Sequence, residues 1–407
     1  MQRRGAEVVF VIEESFKGTL AAKGFAEQLM RLKPKPAVEE APGQFWKDFI
    51  RDTAPEFRKS TLEQIETLIK PIWRELIDGS IYVNDRLTAI FETVKPDVIV
   101  QDNVVAFPAV LTADVPWVRI ISCNPLEIAD PALPPALSGL PTGEQDQWEP
   151  FRRAYDAAHA DLHRAFSNFA VEHGAPPLPG KAFMYESPYL NLYTYPDELD
   201  YPRTRPLSQT WHRLESCVRA TDAPFEPPAS FQGAGKVIYL SLGSLGSADT
   251  ELMGRLIDLL GASAHRAIVS MGPQHEALRL HDNMIGAEFL PQTSVLPRVD
   301  LVITHGGNNT ITESLYFGKP MVVLPLFWDQ HDNAQRVQET GFGVRLDPYR
   351  FRDEELLFWI DRLIADRSLA ARLQAVSRRL QARPGTVLAA EMIEAVARRG
   401  SPIAGRS

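Results

Sequence analysis

The densest group of residues able to do chemistry lies between positions 289 and 341. It contains the run Thr304-His305-Gly306-Gly307-Asn308-Asn309-Thr310, then Glu313, and further on Trp328-Asp329-Gln330. The run is preceded by the apolar, strand-like Leu301-Val302-Ile303 and followed by a helical pattern over about 310–317 that stops at Gly318. A strand feeding a glycine turn and then a helix start leaves backbone N–H groups and the positive end of the helix dipole facing outward. Paired glycines let a ligand approach that backbone closely. The chemistry favoured is the binding of a phosphate. A second apolar strand, Met321-Val322-Val323-Leu324-Pro325, delivers Trp328, Asp329 and Gln330 to the carboxyl end of the same sheet, where open α/β folds bind ligands. A sparser copy of the arrangement, a strand over 236–242 turning at Gly243-Ser244-Leu245-Gly246-Ser247 into a helix, offers a second anion-facing turn with Ser244 as hydroxyl donor. Asp102, ending the strand Pro96-Asp97-Val98-Ile99-Val100-Gln101, is a further candidate. Each piece alone has a plainer reading: a turn, an interior histidine, a strand-end loop, an N-cap aspartate. Their joint order and spacing sets them apart.

In that order and spacing the segment resembles the nucleotide-sugar signature of the family 1 glycosyltransferases, the UDP-glycosyltransferases of plants and animals and the bacterial macrolide and polyketide enzymes. Phe289 stands where the family has Trp, followed by Pro291-Gln292, His305, Gly307, Asn309, Thr310 for the usual Ser, Glu313 and Asp329-Gln330. The resemblance implies an α/β GT-B fold, two Rossmann-like domains whose parallel sheets face a central cleft. It implies a donor site in which Phe289 stacks on the base and Gln292 and Glu313 hold the ribose region. Ser244, His305, Gly307, Asn308, Asn309 and Thr310 surround the diphosphate, and Asp329 and Gln330 meet the sugar hydroxyls. Phe in place of Trp keeps an aromatic face of smaller area. The implied reaction is direct displacement with inversion, the leaving diphosphate being stabilised by the helix start, so that neither metal nor cofactor is expected beyond the nucleotide sugar. Asp102 aligns with the aspartate that orients the catalytic histidine while the acceptor hydroxyl loses its proton. The implied acceptor is a hydrophobic small molecule such as a polyketide, flavonoid or sterol-like aglycone.

Composition is compatible with this and narrows the alternatives. A chain of 407 residues is longer than one compact core and suggests two domains. Hydrophobic residues make up 44% and charged residues 23%, as in a globular protein. The formal net charge of −9 argues against a nucleic-acid surface, which needs clustered excess Lys and Arg. Cys123 and Cys217 lie far apart, so neither a disulfide framework nor a zinc site is indicated, in keeping with a cytoplasmic protein. No apolar run reaches the ~18 residues of a membrane span, and the first residues lack the apolar region of a signal peptide.

Along the chain, residues 1–214 form the expected acceptor-binding domain, 215–235 a Pro-, Ala- and Gly-rich linker, 236–384 the nucleotide-sugar domain, and 385–407 a helix crossing back to the first domain. Arg4-Gly5-Ala6-Glu7-Val8-Val9-Phe10-Val11-Ile12 reads as a helix end and then the family's second strand. The resemblance thus implies a preceding strand, loop and helix, roughly 20 to 25 residues, that the sequence does not carry. In the family that loop bears the catalytic histidine, whereas the first histidine here is His159. Helical spacing marks Phe45, Phe49, Ile50, and then Ile65, Leu68, Ile69, Ile72, Trp73, Leu76 and Ile77. A helix over 104–115 and a strand over 117–121 complete a βαβ unit, and Leu190 to Tyr195 reads as the last strand of this half. His159 and His163, one turn apart on a helix over about 147–172, read as a solvated face rather than metal ligands. Three functions follow: a glycosyltransferase, a non-catalytic GT-B-like protein that binds nucleotide sugar or assists a partner enzyme, and an epimerase of the nucleotide sugar.

Overall fold

The computed structural model describes residues 1–35, 52–219 and 222–403. Phe45, Phe49 and Ile50 lie outside them. The N-terminal half opens with strands β1 (Val9–Glu13) and β2 (Ala26–Met30), a parallel pair with Val9 opposite Ala26. A helical run starts at Thr61, where Ser60 and Glu63 form a reciprocal capping box. It passes through a π-helical stretch, Ile65–Ile69, into α1 (Lys70–Val94). Its apolar stripe buries Ile65, Leu68, Ile69, Trp73 and Ile77. Strand β3 (Ile99–Gln101), the short helix α2 (Pro108–Leu111), β4 (Trp117–Ile121), α3 (Trp148–Glu172), β5 (Leu190–Thr194) and β6 (Trp211–Leu214) follow. Strands β3 to β6 make a separate four-stranded parallel sheet, in sequence order.

Three expectations are corrected here. The helix expected over 104–115 shrinks to Pro108–Leu111, because the proline holds Phe107 extended and the residues before it form a buried loop whose Ala106 N–H reaches the Phe183 carbonyl. The strand at Leu190–Thr194 is followed by one more, β6, whose Trp-His-Arg-Leu sequence carries no clear alternation. His159 is buried, with its Nδ1 at the Tyr155 carbonyl and its ring against Tyr155, and both His159 and His163 pack on Phe183. The face read as solvated is an aromatic seam, because the chain after α3 folds back and covers it.

The C-terminal half holds β7 (Val237–Ser241), α4 (Gly243–Gly246), α5 (Thr250–Gly261), β8 (Arg266–Ser270), β9 (Met284–Ala287), α6 (Gln292–Val295) and β10 (Leu301–Thr304). Then come α7 (Asn308–Tyr316), β11 (Met321–Val323), α8 (Gln330–Glu339), β12 (Gly343–Arg345), α9 (Asp353–Ala365), α10 (Arg367–Gln381) and α11 (Gly385–Arg399). Its six strands are parallel in the order β12-β11-β10-β7-β8-β9. Such strands are covered on both faces by helices, which is why β10 and β11 are wholly apolar up to Thr304 and wholly buried. The order brings β7 beside β10, Ile238 opposite Leu301, although two strands separate them in sequence. At that reversal a doubly wound sheet opens a crevice at its carboxyl edge.

The connection after β6 runs onto the C-terminal half, where Glu215 pairs with Arg379 and Arg383. Helix α11 returns to the first half, burying Met392, Ile393 and Val396 against Val118, Leu190, Leu192 and Leu214. At its start a Cβ on Gly385 would lie 2.1 Å from the Ser216 carbonyl oxygen, so only glycine allows the close crossing.

Candidate active site

Helix α7 begins directly behind β10, and its N-cap, Gly307, supplies no side-chain cap to the first N–H groups. The turn that aims them is built around the His305 ring. A Cβ on Gly307 would fall 2.6 Å from His305 Nε2, and one on Gly243 would fall 2.8 Å from Cε1. Gly306 takes φ 94, a left-handed conformation, against Val323 and the Gln330 backbone. The two glycine turns after β7 and β10 thus meet across one imidazole, with exposed Ser244 beside Gly243 at the start of α4. Burial pushes the His305 pKa down to about 4, opposed by a bond with the Ser241 backbone. A neutral ring offers one donor and one acceptor but no charge.

Farther along α7, Glu313 accepts from Gln292 Nε2 at 2.6 Å and from Arg219 Nη1 at 3.0 Å. Burial raises its pKa, while Gln292 and Arg219 act the other way. Gln292 also reaches Thr310 Oγ1 at 3.3 Å and accepts from the Tyr239 hydroxyl at 3.3 Å. Phe289, just ahead of this cluster, is 62% exposed, a large unpacked aromatic at the rim. Asn309, on the first turn of α7, is exposed.

The loop from β11 to α8 carries the expected sugar-binding pair. Trp328 holds φ 57, uncommon for a bulky residue, and its ring lies 5.4 Å from that of Trp73 on α1. Gln330 turns inward and accepts from the Leu326 and Phe327 N–H groups, so its side chain shapes the loop. Asp329 accepts from the Asn124 N–H at 2.9 Å, across the cleft. Burial pushes its pKa up to about 6, moderated by that N–H. Asn308 likewise reaches across, donating to the Ser122 and Thr194 carbonyls.

Asp102 follows β3 and accepts from Ser122 Oγ at 2.7 Å, and burial raises its pKa against that bond. It lines a cavity of about 240 Å³ together with Ser122, Cys123 and Glu127. A second cavity, about 340 Å³, runs from Asp102 and Ser122 to Asn309, Thr312 and Glu313, so both halves wall it. The sequence reading thus located the groups around α7, but it missed the residues that join them to the other half: Ser122, Asn124, Tyr195, Arg219 and Asn333. An isolated asparagine or a linker arginine carries no local sequence signal. Asn333, one turn after Asp329, was within reach of helical spacing.

Comparison with known proteins gives the family and the fold. The model of a family described as UDP-glucoronosyl and UDP-glucosyl transferase matches residues 167–398. An uncharacterized UDP-glucosyltransferase of Bacillus subtilis, YojK, is 28% identical over 160 residues, 39% of this chain and 40% of that protein. Human UDP-glucuronosyltransferase 1A6 is 30% identical over 206 residues, 49% of this chain and 38% of that protein. The match thus spans at most 40% of these relatives' length. Among solved structures, the glycotransferase of kitacinnamycin superposes with a TM-score of 0.69 at 22% identity, covering 97% of this chain and 92% of that one. The glycosyltransferase VinC, solved with dTDP, gives 0.63 at 17% identity, with 98% and 94% covered. At such identities the likeness is one of fold, the two-domain GT-B arrangement of parallel sheets. With more than half of its length matched by the family model, the chain belongs to the UDP-glucoronosyl and UDP-glucosyl transferase family.

Proposed function

We propose that this protein transfers a hexose from a UDP- or dTDP-sugar to a hydroxyl of a hydrophobic small molecule, with inversion and without a metal. The observation that carries the reading is the uncapped start of α7, framed by two glycine turns and opening on a cavity that both halves line. The diphosphate lies against the first N–H groups of α7 with His305 as a neutral hydrogen-bond partner, and the helix dipole favours its charge. Glu313 and Gln292 receive the ribose hydroxyls, and Phe289 offers its exposed face to the base. In the transfer step the acceptor oxygen forms a bond to the anomeric carbon while the bond from that carbon to the diphosphate oxygen breaks. The pair of electrons leaves on the diphosphate, whose growing charge meets the same N–H groups. The acceptor's proton passes to the Asp102 carboxylate, which lines the shared cavity and whose pKa burial raises. Asp329, held at the cleft by the Asn124 N–H, is the group for the sugar hydroxyls, and Gln330 holds the loop that presents it. We infer a cytoplasmic setting from the synthesis of most nucleotide sugars there. Among the described residues no helix is long and apolar enough to cross a membrane.

One observation favours a second reading, nucleotide-sugar binding without transfer: no histidine is among the described residues lining the Asp102 cavity. Both readings are tested by calorimetric titration of UDP with the wild type, Asn309→Ala and Glu313→Ala, beside a sugar-consumption assay with phenol and alcohol acceptors. Binding that weakens roughly tenfold or more in each variant supports the donor site. Heat unchanged by both substitutions refutes it. Binding with no transfer to any acceptor selects the second reading.

A further inference from the structure

Resting on that donor-site reading, we propose that Arg219, on the connection between the two halves, is a donor-binding residue that supplies the positive charge for the nucleoside diphosphate. The cavity shared by the halves is walled by two carboxylates, Asp102 and Glu313, and by no lysine or arginine among its described lining residues; the amino group of Met1, also in the lining, acts on Glu394. A nucleoside diphosphate brings two to three further negative charges into the same space. The start of α7 and its N–H groups offset about half an elementary charge. With Glu313 ionised, repulsion would oppose the donor unless a cation joined the wall.

Arg219 meets that need by position. Its neighbour Val218 lines the cavity, and its own Nη1 donates to Glu313 at 3.0 Å. Its Nε donates to Asp222 at 2.8 Å, and Asp222 in turn accepts from the Thr293 N–H at 3.0 Å and hydroxyl at 2.8 Å. Asp222 therefore straps the connection onto α6, next to Gln292, and fixes where the guanidinium projects. The side chain remains 42% exposed, so a ligand can reach it. A guanidinium carries five N–H donors, and the two bonds to Asp222 and Glu313 leave others free. Asn309 and Glu313 stand one helical turn apart, about 6 Å along the axis, so a phosphate seated over the start of α7 lies within reach of a group anchored on Glu313. The fork geometry suits phosphate oxygens. The connection that joins the halves thereby becomes part of the donor site.

The test is calorimetric titration of UDP and of uridine, which lacks phosphate, into the wild type, Arg219→Met, Arg219→Lys and Arg298→Met. Arg298 pairs with Glu226 farther along the same connection and serves as the control. Arg219→Met is expected to weaken UDP roughly tenfold to hundredfold and uridine less than about twofold, while Arg219→Lys restores part of the loss and Arg298→Met changes neither. UDP binding as tight as or tighter than wild type in Arg219→Met would overturn the proposal, since the arginine would then be idle or a latch on an empty site. Equal losses for UDP and uridine would also overturn it, reducing Arg219 to a prop for Glu313. If the wild type binds no UDP, the donor-site reading itself fails, which these outcomes keep separate.

Discussion

Single atoms decide the donor turn. Gly307 has an ordinary backbone conformation, so an added Cβ is not strained by its dihedrals. What forbids it is the His305 ring 2.6 Å away. The imidazole must swing or the first turn of α7 must move, and either change misaligns the N–H groups proposed to meet the diphosphate. Gly307→Ala is therefore expected to weaken UDP at least about tenfold in a binding titration. Gly254, inside α5 with open space where its Cβ would be, is the matched control. Gly254→Ala should leave binding alone and raise stability by up to about 1 kcal/mol through helix propensity. Unimpaired UDP binding in Gly307→Ala would separate the glycine from the donor site. The burial that depresses the His305 pKa to about 4 also means that this group stays neutral, and its hydrogen-bonding role constant, across the neutral pH range.

At the level of elements, α8 is unusual in burying the polar start of a helix. Gln330, His331, Asp332 and Asn333 are all buried, and the 137–139 loop of the first half docks on His331 and Asp332. Asp332 accepts from the Leu137 N–H at 2.6 Å and the Gly139 N–H at 2.8 Å. Burial, with Arg345 adding to it, drives the His331 pKa down to about 3. In the unfolded chain this ring takes a proton near about pH 6.5, so its depressed folded value costs the native state stability as pH falls below that point. The cost reaches about 2 kcal/mol by pH 5, at roughly 1.4 kcal/mol per unit. Asp332 has the opposite sign: burial raises its pKa to about 7, so its contribution is present in acid and lost as pH rises through about 7. Because the two effects oppose each other between about pH 7 and pH 5, His331→Leu should raise stability at pH 5 relative to pH 7 by about 2 kcal/mol compared with the wild type, read by urea unfolding. An unchanged acid slope would refute the assignment. The elements around this helix were legible in unequal measure. Strands β10 and β11 are uninterrupted apolar runs punctuated by glycine and proline, so periodicity and turn chemistry agreed. Strand β6 gains its identity from pairing with β5, and His159 its burial from Phe183, and neither is a local property.

For the whole molecule, the question is what keeps two lobes in register around one cavity. The answer centres on Asn333, which is completely buried. Its Oδ1 accepts from Asn124 Nδ2 at 2.9 Å and from the Tyr195 hydroxyl at 3.0 Å, both in the first half. Its Nδ2 donates to the Gly306 carbonyl at 2.9 Å, inside the donor turn. One carboxamide thus links the first half to the bend that aims α7. Asn124 and Tyr195 each lie more than a hundred residues from Asn333 in the chain, which is why local sequence patterns gave no hint of the link. Removing the amide orphans the buried Gly306 carbonyl and takes one partner each from Asn124 Nδ2 and the Tyr195 hydroxyl, which keep each other at 3.2 Å; an orphaned buried group costs about 1–3 kcal/mol unless water enters. Asn333→Ala should lower stability by a few kcal/mol, toward the lower end of that range because the cleft admits some water. It should also weaken UDP, since Gly306 loses its anchor, although Asn333 lines neither cavity. Asn333→Asp, which keeps the acceptor for Asn124 and Tyr195 but sets a carboxylate against the Gly306 carbonyl, should damage UDP binding more than it loosens the two halves. If both variants melt lower yet bind UDP as wild type does, the network is a structural clasp with no reach into the donor turn.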